Sequence, residues 1–145
     1  GGRGARSRGD DLTDLTPNIP EVVAEIGALF ERYEQALIDK NVEVLDATFW
    51  KSPHAIRLAN HEHGYGFDRI HAHRVARVPG LGAKEKRLRL DVVTVGHDIA
   101  TVTLVYKVRG KDMTGRQMQT WVRFPDAGWK VIAAHVSMIA ETPVL

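Results

Sequence analysis

The stretch Gly115–Met138 constrains the fold of this chain more than any other part of its sequence. Over 117–124 alternate residues form two faces of different character, the period-2 pattern of a strand. Residues 125–128 (PDAG) then supply a turn, because proline, aspartate and glycine favour turns. The segment 129–139 is mostly apolar on both faces, so it predicts a central strand that is covered on both sides.

Two polar residues, His135 and Ser137, interrupt this second strand on one face. Buried polar groups need partners, so a polar patch at the end of a central strand predicts a site. On the neighbouring strand Gln117, Gln119 and Trp121 share a face, and we expect them near His135 and Ser137 if the strands pair. These groups would either bind a small polar ligand or satisfy one another in a hydrogen-bond network.

Length and composition limit the class of protein. A chain of 145 residues is one domain with a sizeable core. It has no cysteine, which excludes disulfides, thiolate zinc sites and a cysteine nucleophile, and which fits a cytoplasmic location. A net charge of +2 gives no indication of nucleic-acid binding, and no apolar run is long enough to predict a membrane span.

The remaining segments predict an α+β cone. Residues 1–18, rich in glycine and arginine and then acidic, predict a flexible N-terminal arm before a single domain over 19–145. Within that domain we expect helices over Pro20–Lys40, Val42–Phe49 and Arg69–Arg77. Between the second and third helices we expect a strand over His54–Ala59 and a turn over Asn60–Gly66, and from Arg87 onward four long antiparallel strands.

Three helices covering one face of a curved sheet leave the interior of the cone as a natural ligand pocket. The outer sheet face still carries apolar residues, so we expect a homodimer that buries it.

Three side chains are candidates for lining that pocket. Tyr33 lies on the apolar face of the first helix, either as a core tyrosine or as a phenol that donates a proton or hydrogen bond. Arg57 sits in a short apolar strand, HAIRLA, where a buried arginine must meet a carboxylate from this chain or from a ligand. Arg74, on the third helix, follows the same logic.

A metal site is not predicted. His61, Glu62 and His63 have some of the right chemistry, but no further ligand lies at a helpful spacing. We read this segment as a polar turn.

Several segments carry a resemblance to a known family: FERYEQAL, the FW that closes the second helix, HRVAR, GRQMQTWVRF and GWKVIAAHVS. Over about Pro20–Ile139 the chain resembles the SnoaL-like superfamily, whose α+β cone is shared with ketosteroid isomerase. More narrowly, it resembles a small bacterial subfamily that is associated with amidases of oxalurate and s-triazine (cyanuric acid) catabolism.

This resemblance implies a cofactor-independent, decarboxylating amidohydrolase that takes 1,3-dicarboxyurea to allophanate and carbon dioxide, with an amidase as a pathway partner. It implies Tyr33 and Arg57 as the catalytic pair. The expected substrate-binding residues are Arg74, Gln119, Trp121, His135 and Ser137. The chain departs from the subfamily at His73, where the resemblance implies a phenylalanine, and this bears on the identity of the substrate.

Two alternatives stay open beside this activity. An isomerase or hydratase acting on an apolar ring would need an inward carboxylate as its base, and the pattern places Asp46 and Asp68 at the surface or at a helix cap. A non-catalytic module would bind carboxylate ligands, or assemble with an amidase, without turnover.

Overall fold

The computed structural model describes residues 14–78 and 83–145, and in them three helices lie against a six-stranded mixed sheet. In chain order the elements are α1 (Pro20–Asp39), α2 (Val42–Thr48), β1 (Ile56–Ala59), β2 (Glu62–Tyr65), α3 (Phe67–Ala76), β3 (Lys84–Val95), β4 (Ile99–Val108), β5 (Thr114–Phe124) and β6 (Gly128–Ile139).

The strand order across the sheet is β2-β1-β6-β5-β4-β3. Neighbouring strands are antiparallel except β1 and β6, which run parallel. The predicted α+β cone with three N-terminal helices is confirmed, and the sheet is curved and open. The parallel pair is a difference from the fully antiparallel sheet that we expected.

One predicted turn is wrong in part. Residues 62–65 form β2, a short edge strand that pairs only with β1. Its four residues, EHGY, are too few and too polar to produce a strand pattern in the sequence. Gly64 is required here, since a Cβ would lie 2.9 Å from the Arg57 carbonyl oxygen.

Local sequence accounts for the two N-terminal helices. Pro20 opens α1, where its missing N–H leaves no bond unmade, and Lys40 ends it in the left-handed conformation. Asn41 then caps α2 by accepting a hydrogen bond from the Val44 N–H at 3.2 Å. This cap turns the chain sharply between the two helices.

The helix α1 packs on the sheet with its first half and borders a cavity with its second half. Val22, Ile26 and Phe30 are buried against apolar strand residues in the core. From Tyr33 to Lys40 the end of this helix lines the cavity instead. The polar pocket therefore begins where the packed core ends.

The predicted arm lies mostly outside the described residues, which begin at 14. Residues 16–18 hydrogen-bond to the end of β3: Asn18 N–H donates to the Thr94 carbonyl, and Gly96 N–H donates to the Thr16 carbonyl, each at 2.9 Å. Among the described helices, none is both long and apolar enough to cross a membrane.

Gly115 on β5 faces Tyr106 on β4, its partner in the strand register. A methyl group at Gly115 would lie against the aromatic ring, 2.6 Å from the hydroxyl oxygen. The missing side chain thus provides the space that the tyrosine ring occupies.

We expect Gly115→Ala to lower the free energy of unfolding by roughly 1–3 kcal/mol, because it overpacks the Tyr106 ring. Gly27→Ala is the matched control: a Cβ at Gly27, inside α1, meets nothing within 4 Å. It should stabilise the protein by up to about 1 kcal/mol through helix propensity. Urea unfolding of both variants checks this, and an equal effect at the two sites would contradict it.

Candidate active site

A cavity of about 830 Å³ lies between the second half of α1, the helix α3 and the inner face of the sheet. Nine lysine or arginine residues line it against three glutamates, all within the described part of the chain. An excess of cations around a concave site favours anionic ligands.

The strand register explains how the sheet contributes to this cavity. Arg57 on β1 and Gln119 on β5 both align with Ala134, on the strand β6 between them. All three side chains are buried on the inner face. Because Ala134 is small, it leaves space between the guanidinium and the amide.

Arg57 is 8% exposed and lines the cavity. Its Nη1 donates to Glu62 Oε1 at 2.7 Å, and Arg77 Nη2 donates to the same oxygen at 3.0 Å. Burial opposes ionisation of Glu62, but Arg77 and Arg57 outweigh burial and lower its pKa. Arg57 therefore has a carboxylate partner from its own chain and still borders the cavity.

Arg74 is the most buried cation of the cavity wall, at 1% exposed. Its Nη1 donates to Asp46 Oδ1 at 3.0 Å, and its guanidinium lies 4.2 Å from the centre of the Phe49 ring. Burial lowers the pKa of Arg74, while Tyr33 and Asp46 oppose this effect.

Two nitrogens of Arg74, Nε and Nη2, are buried without a hydrogen-bond partner among the described residues. These atoms form one edge of the guanidinium plane, the geometry that binds a carboxylate through two parallel hydrogen bonds. Asp46, which we expected at the surface, is instead the ion-pair partner that holds this arginine.

Tyr33 is buried beside Arg74, with its ring centre 6.1 Å from that of Phe49. It lines the cavity, and its hydroxyl makes no hydrogen bond with the residues that the structure describes. The phenol is thus free to donate to a ligand.

Gln119 and Trp121 form a buried pair on β5. The Trp121 indole Nε1 donates to Gln119 Oε1 at 3.1 Å. Because an indole N–H can only donate, the amide oxygen must face Trp121, and the amide nitrogen faces away from it. That nitrogen, Nε2, is buried without a partner in the described residues.

The expected contact of Trp121 with a ligand in this cavity is wrong, since Trp121 does not line it. The indole borders a smaller cavity, of about 200 Å³, against α1 and α2. Its hydrogen bond to Gln119 orients the amide side chain instead.

The expected placement of His135 and Ser137 beside Gln119 is also wrong. In the register Gln119 pairs with Ala134 and Gln117 with Val136, whereas His135 pairs with Met118. Side chains alternate between the faces of a sheet, so His135 and Ser137 lie on the outer face, away from the cavity.

The sequence prediction missed Glu34, a buried carboxylate in the cavity wall. The expectation that no carboxylate faces the cavity is therefore wrong. A signal was present, because Glu34 follows Ile26 and Phe30 at intervals of four residues on the buried face of α1. Tyr106 on β4 also lines the cavity and was not among the predicted site residues.

His73 does not line the cavity, so the departure at this position leaves the described lining unchanged. Within residues 14–78 and 83–145 no three histidine, aspartate or glutamate side chains are placed to hold a metal ion. Glu62, which suggested a ligand in the sequence, is engaged by two arginines.

The AtzH-like family model matches residues 16–142. The chain belongs to the AtzH-like family. This confirms the resemblance to the SnoaL-like superfamily and, within it, to the narrower AtzH-like subfamily. No curated protein is significantly similar to this AtzH-like chain.

Solved structures of similar proteins support the fold. A protein of unknown function from Pectobacterium atrosepticum is 40% identical, with 85% of this chain and 94% of that chain covered and a TM-score of 0.79. A cystatin-like fold protein from Burkholderia xenovorans is 38% identical, with 88% and 99% covered and a TM-score of 0.81.

A nuclear transport factor 2-like (NTF2-like) superfamily protein from Salmonella enterica is 22% identical, with 86% of this AtzH-like chain and 95% of that chain covered and a TM-score of 0.65. At this identity the similarity shows the cone fold alone.

Tyr106 should make the protein less stable at alkaline pH. Burial, with the Glu34 charge adding to it and Arg57 opposing it, raises the pKa of Tyr106 from 10.0 to about 12. Between these values the unfolded chain has released the proton that the folded protein still holds, so stability falls as pH rises through this window. The loss amounts to about 2–3 kcal/mol at its upper end.

Urea unfolding of wild type and Tyr106→Phe at several pH values from about 9 to about 11 measures this effect. The phenylalanine variant should show the shallower decline. The same decline in both proteins would contradict the assignment.

Proposed function

We propose that this cavity binds a small urea N-carboxylate and releases one carboxyl group as carbon dioxide, taking 1,3-dicarboxyurea to allophanate in cyanuric acid catabolism. One observation carries the proposal: a buried guanidinium edge without an acceptor lies beside an unbonded phenol in a cationic cavity. Membership of the AtzH-like family supports it further.

In this proposal the free edge of Arg74 holds a substrate carboxylate through Nε–H and Nη2–H. Arg57 adds a second positive charge, since Glu62 is shared with Arg77 and leaves the guanidinium partly uncompensated. The Gln119 amide nitrogen donates to the urea carbonyl, with the amide held in orientation by Trp121.

The reaction needs one proton at the nitrogen of the carboxylated end. Tyr33 donates its hydroxyl proton to that nitrogen, which gives a protonated N-carboxylate. The carbon–nitrogen bond then breaks, its electron pair stays on nitrogen, and the carboxylate leaves as neutral carbon dioxide. The phenolate recovers a proton from water. Charge and electrons balance without an oxidant or reductant.

Release of carbon dioxide from freshly generated 1,3-dicarboxyurea tests the reaction, with a no-enzyme control for spontaneous loss. Tyr33→Phe should lower kcat by about 10²- to 10⁴-fold, the usual contribution of a positioned acid. Arg57→Ala should lower kcat/KM by roughly 10- to 150-fold, as expected for lost hydrogen bonds to a charged group. Glu62 stays paired with Arg77 in that variant.

Two exposed residues provide matched controls. Tyr65→Phe on β2 and Arg69→Ala on α3 make the same chemical changes outside the cavity lining and should leave turnover unchanged. Full turnover by folded Tyr33→Phe and Arg57→Ala would rule out the assigned roles. Ligand-induced thermal stabilisation without turnover by wild type would indicate a non-catalytic carboxylate-binding module, such as an amidase partner.

Glu34 favours a second candidate, an isomerase or hydratase with this carboxylate as its base, because Glu34 points into the cavity. Lys84 and Gln117 already hold the carboxylate, and the wall is rich in cations, which makes an apolar ring a poor match. Proton exchange into a bound ketone, abolished in Glu34→Gln, would distinguish this function from decarboxylation.

We also propose a homodimer through the outer face of the sheet. Met118 on β5 is 54% exposed on this face, between Thr103 on β4 and His135 on β6. Ile99 on β4 and Val93 on β3, which pairs with Thr101, are exposed on the same face. Exposed apolar side chains on one sheet face are typical of protein–protein contacts.

Met118→Glu should convert the dimer to a monomer, because removing a new carboxylate from water in the interface costs free energy. Val75→Glu, which replaces an exposed apolar residue on α3, is the control and should stay dimeric. Sedimentation equilibrium measures both masses. A monomeric wild type, or a dimeric Met118→Glu, would contradict this interface.

A further inference from the structure

The carboxylate of Glu34 has no part in the proton transfer described above. It lines the cavity and is 6% exposed. Lys84 Nζ lies 3.2 Å from Oε1 and 3.3 Å from Oε2, and Gln117 Nε2 donates to Oε2 at 3.3 Å. A carboxylate this buried needs such partners, so its position is fixed before any ligand arrives.

The acceptor capacity of this carboxylate is not exhausted. An ionised carboxylate offers about four lone-pair positions. Among the described residues both hydrogen bonds end on Oε2, while Oε1 has only ion-pair contacts, with Lys84 and, at 3.8 Å, with Arg87. Acceptor positions on Oε1 thus remain for a donor from a ligand.

Lys84 places a cation directly beside this acceptor. Its Nζ also lies 4.9 Å from the centre of the Tyr106 ring, which closes this end of the cavity. An N-carboxylated nitrogen, –NH–COO⁻, presents a donor next to an anion. Glu34 and Lys84 present an acceptor next to a cation, which is the complementary arrangement.

The distance from Glu34 at one end of the cavity to Arg57 at the other suits a small urea. Gln117, which holds Glu34, is two residues from Gln119 on the same strand and face, or about 7 Å along it. Gln119 in turn lies one strand away from Arg57, across Ala134. A urea carbonyl at Gln119 therefore leaves one nitrogen toward each end.

We propose that Glu34 and Lys84 form a second subsite, which holds the N–H-bearing end of the ligand that does not react. Glu34 accepts a hydrogen bond from the ligand nitrogen, so the cavity selects ureido acids over carboxylates that lack N–H. The inference rests on the proposed function for the position of the carboxylate near Arg74, and its test needs no turnover.

An isosteric ligand pair tests this selectivity. N-carbamoylglycine and 4-oxopentanoate have the same shape and one carboxylate each, but methyl and methylene groups replace NH₂ and NH in the second. Calorimetry should show wild type binding N-carbamoylglycine roughly 10- to 150-fold more tightly, the range for a hydrogen bond to a charged group. In Glu34→Gln we expect this ratio to fall at least fivefold.

The ratio separates recognition from general damage to the cavity. A variant that merely loosens the site weakens both ligands together and leaves the ratio as it was. Glu43→Gln, at an exposed position in the first turn of α2, is the matched control and should keep the wild-type ratio. Circular dichroism confirms folding, and Glu34→Met serves as the second variant if Glu34→Gln fails to fold.

The outcomes distinguish this proposal from the proposed reaction. A ratio near one in wild type, an unchanged ratio in folded Glu34→Gln, or no binding of either ligand at millimolar concentration would overturn the subsite. Active decarboxylation with an unchanged ratio would overturn the subsite alone. If the ratio falls in Glu34→Gln but the wild type shows no decarboxylase activity, the subsite is supported and the proposed reaction is contradicted.

Discussion

The burial of the Arg74 guanidinium is the constraint on which the helices and the cavity both depend. Removing a guanidinium from water costs several kcal/mol unless it gains partners. Asp46 on α2 supplies the ion pair, the Phe49 ring supplies a cation–π contact, and His71 on α3 shares the same carboxylate at 2.6 Å. These contacts hold α3 against the end of α2. The position of this part of the cavity wall therefore depends on Arg74 and its partners. They satisfy only part of the arginine, and the unsatisfied edge is where a ligand acceptor belongs.

Small residues on the inner sheet face create the space that this charge borders. Ala134 separates Arg57 from Gln119, and Gly115 lets the Tyr106 ring fold over the sheet. A larger residue at Ala134 would take up cavity space, and one at Gly115 would displace the Tyr106 ring. The cavity thus exists because small side chains leave space on the inner sheet face. Polar residues at the adjacent register positions line this space.

The sequence predicts the fold and part of the site, for reasons that differ from residue to residue. The α+β cone follows from helical and strand periodicity, and the placement of Tyr33, Arg57, Arg74 and Gln119 in the cavity wall agrees with the expectation. His135 and Ser137 were misplaced because β6 is apolar on both faces, so its pattern does not reveal which face is inside. Trp121 was misread because only the structure shows an indole behind the amide. Glu34 was missed because charged residues on a buried helix face are usually discounted. The strand β2 was missed because its four residues, EHGY, are too few to show a periodicity.

Tyr33, Arg57, Arg74 and Gln119, from four different elements, converge on one cavity. The free protein leaves several of their donors without a hydrogen-bond partner among the described residues. Each buried donor without an acceptor costs about 1–3 kcal/mol, and Arg74 with Gln119 contributes three such nitrogens. A fold selected for stability alone would replace these side chains with apolar ones, which is often neutral or stabilising at buried ionic positions. A ligand that supplies oxygen acceptors would recover the cost without reorganising the site, because Asp46, Trp121 and Lys84 already hold the groups in place. The conflict between stability and buried polarity therefore supports the proposed binding role of this cavity, and the arrangement of its charges supports the proposed anionic ligand that also carries N–H donors.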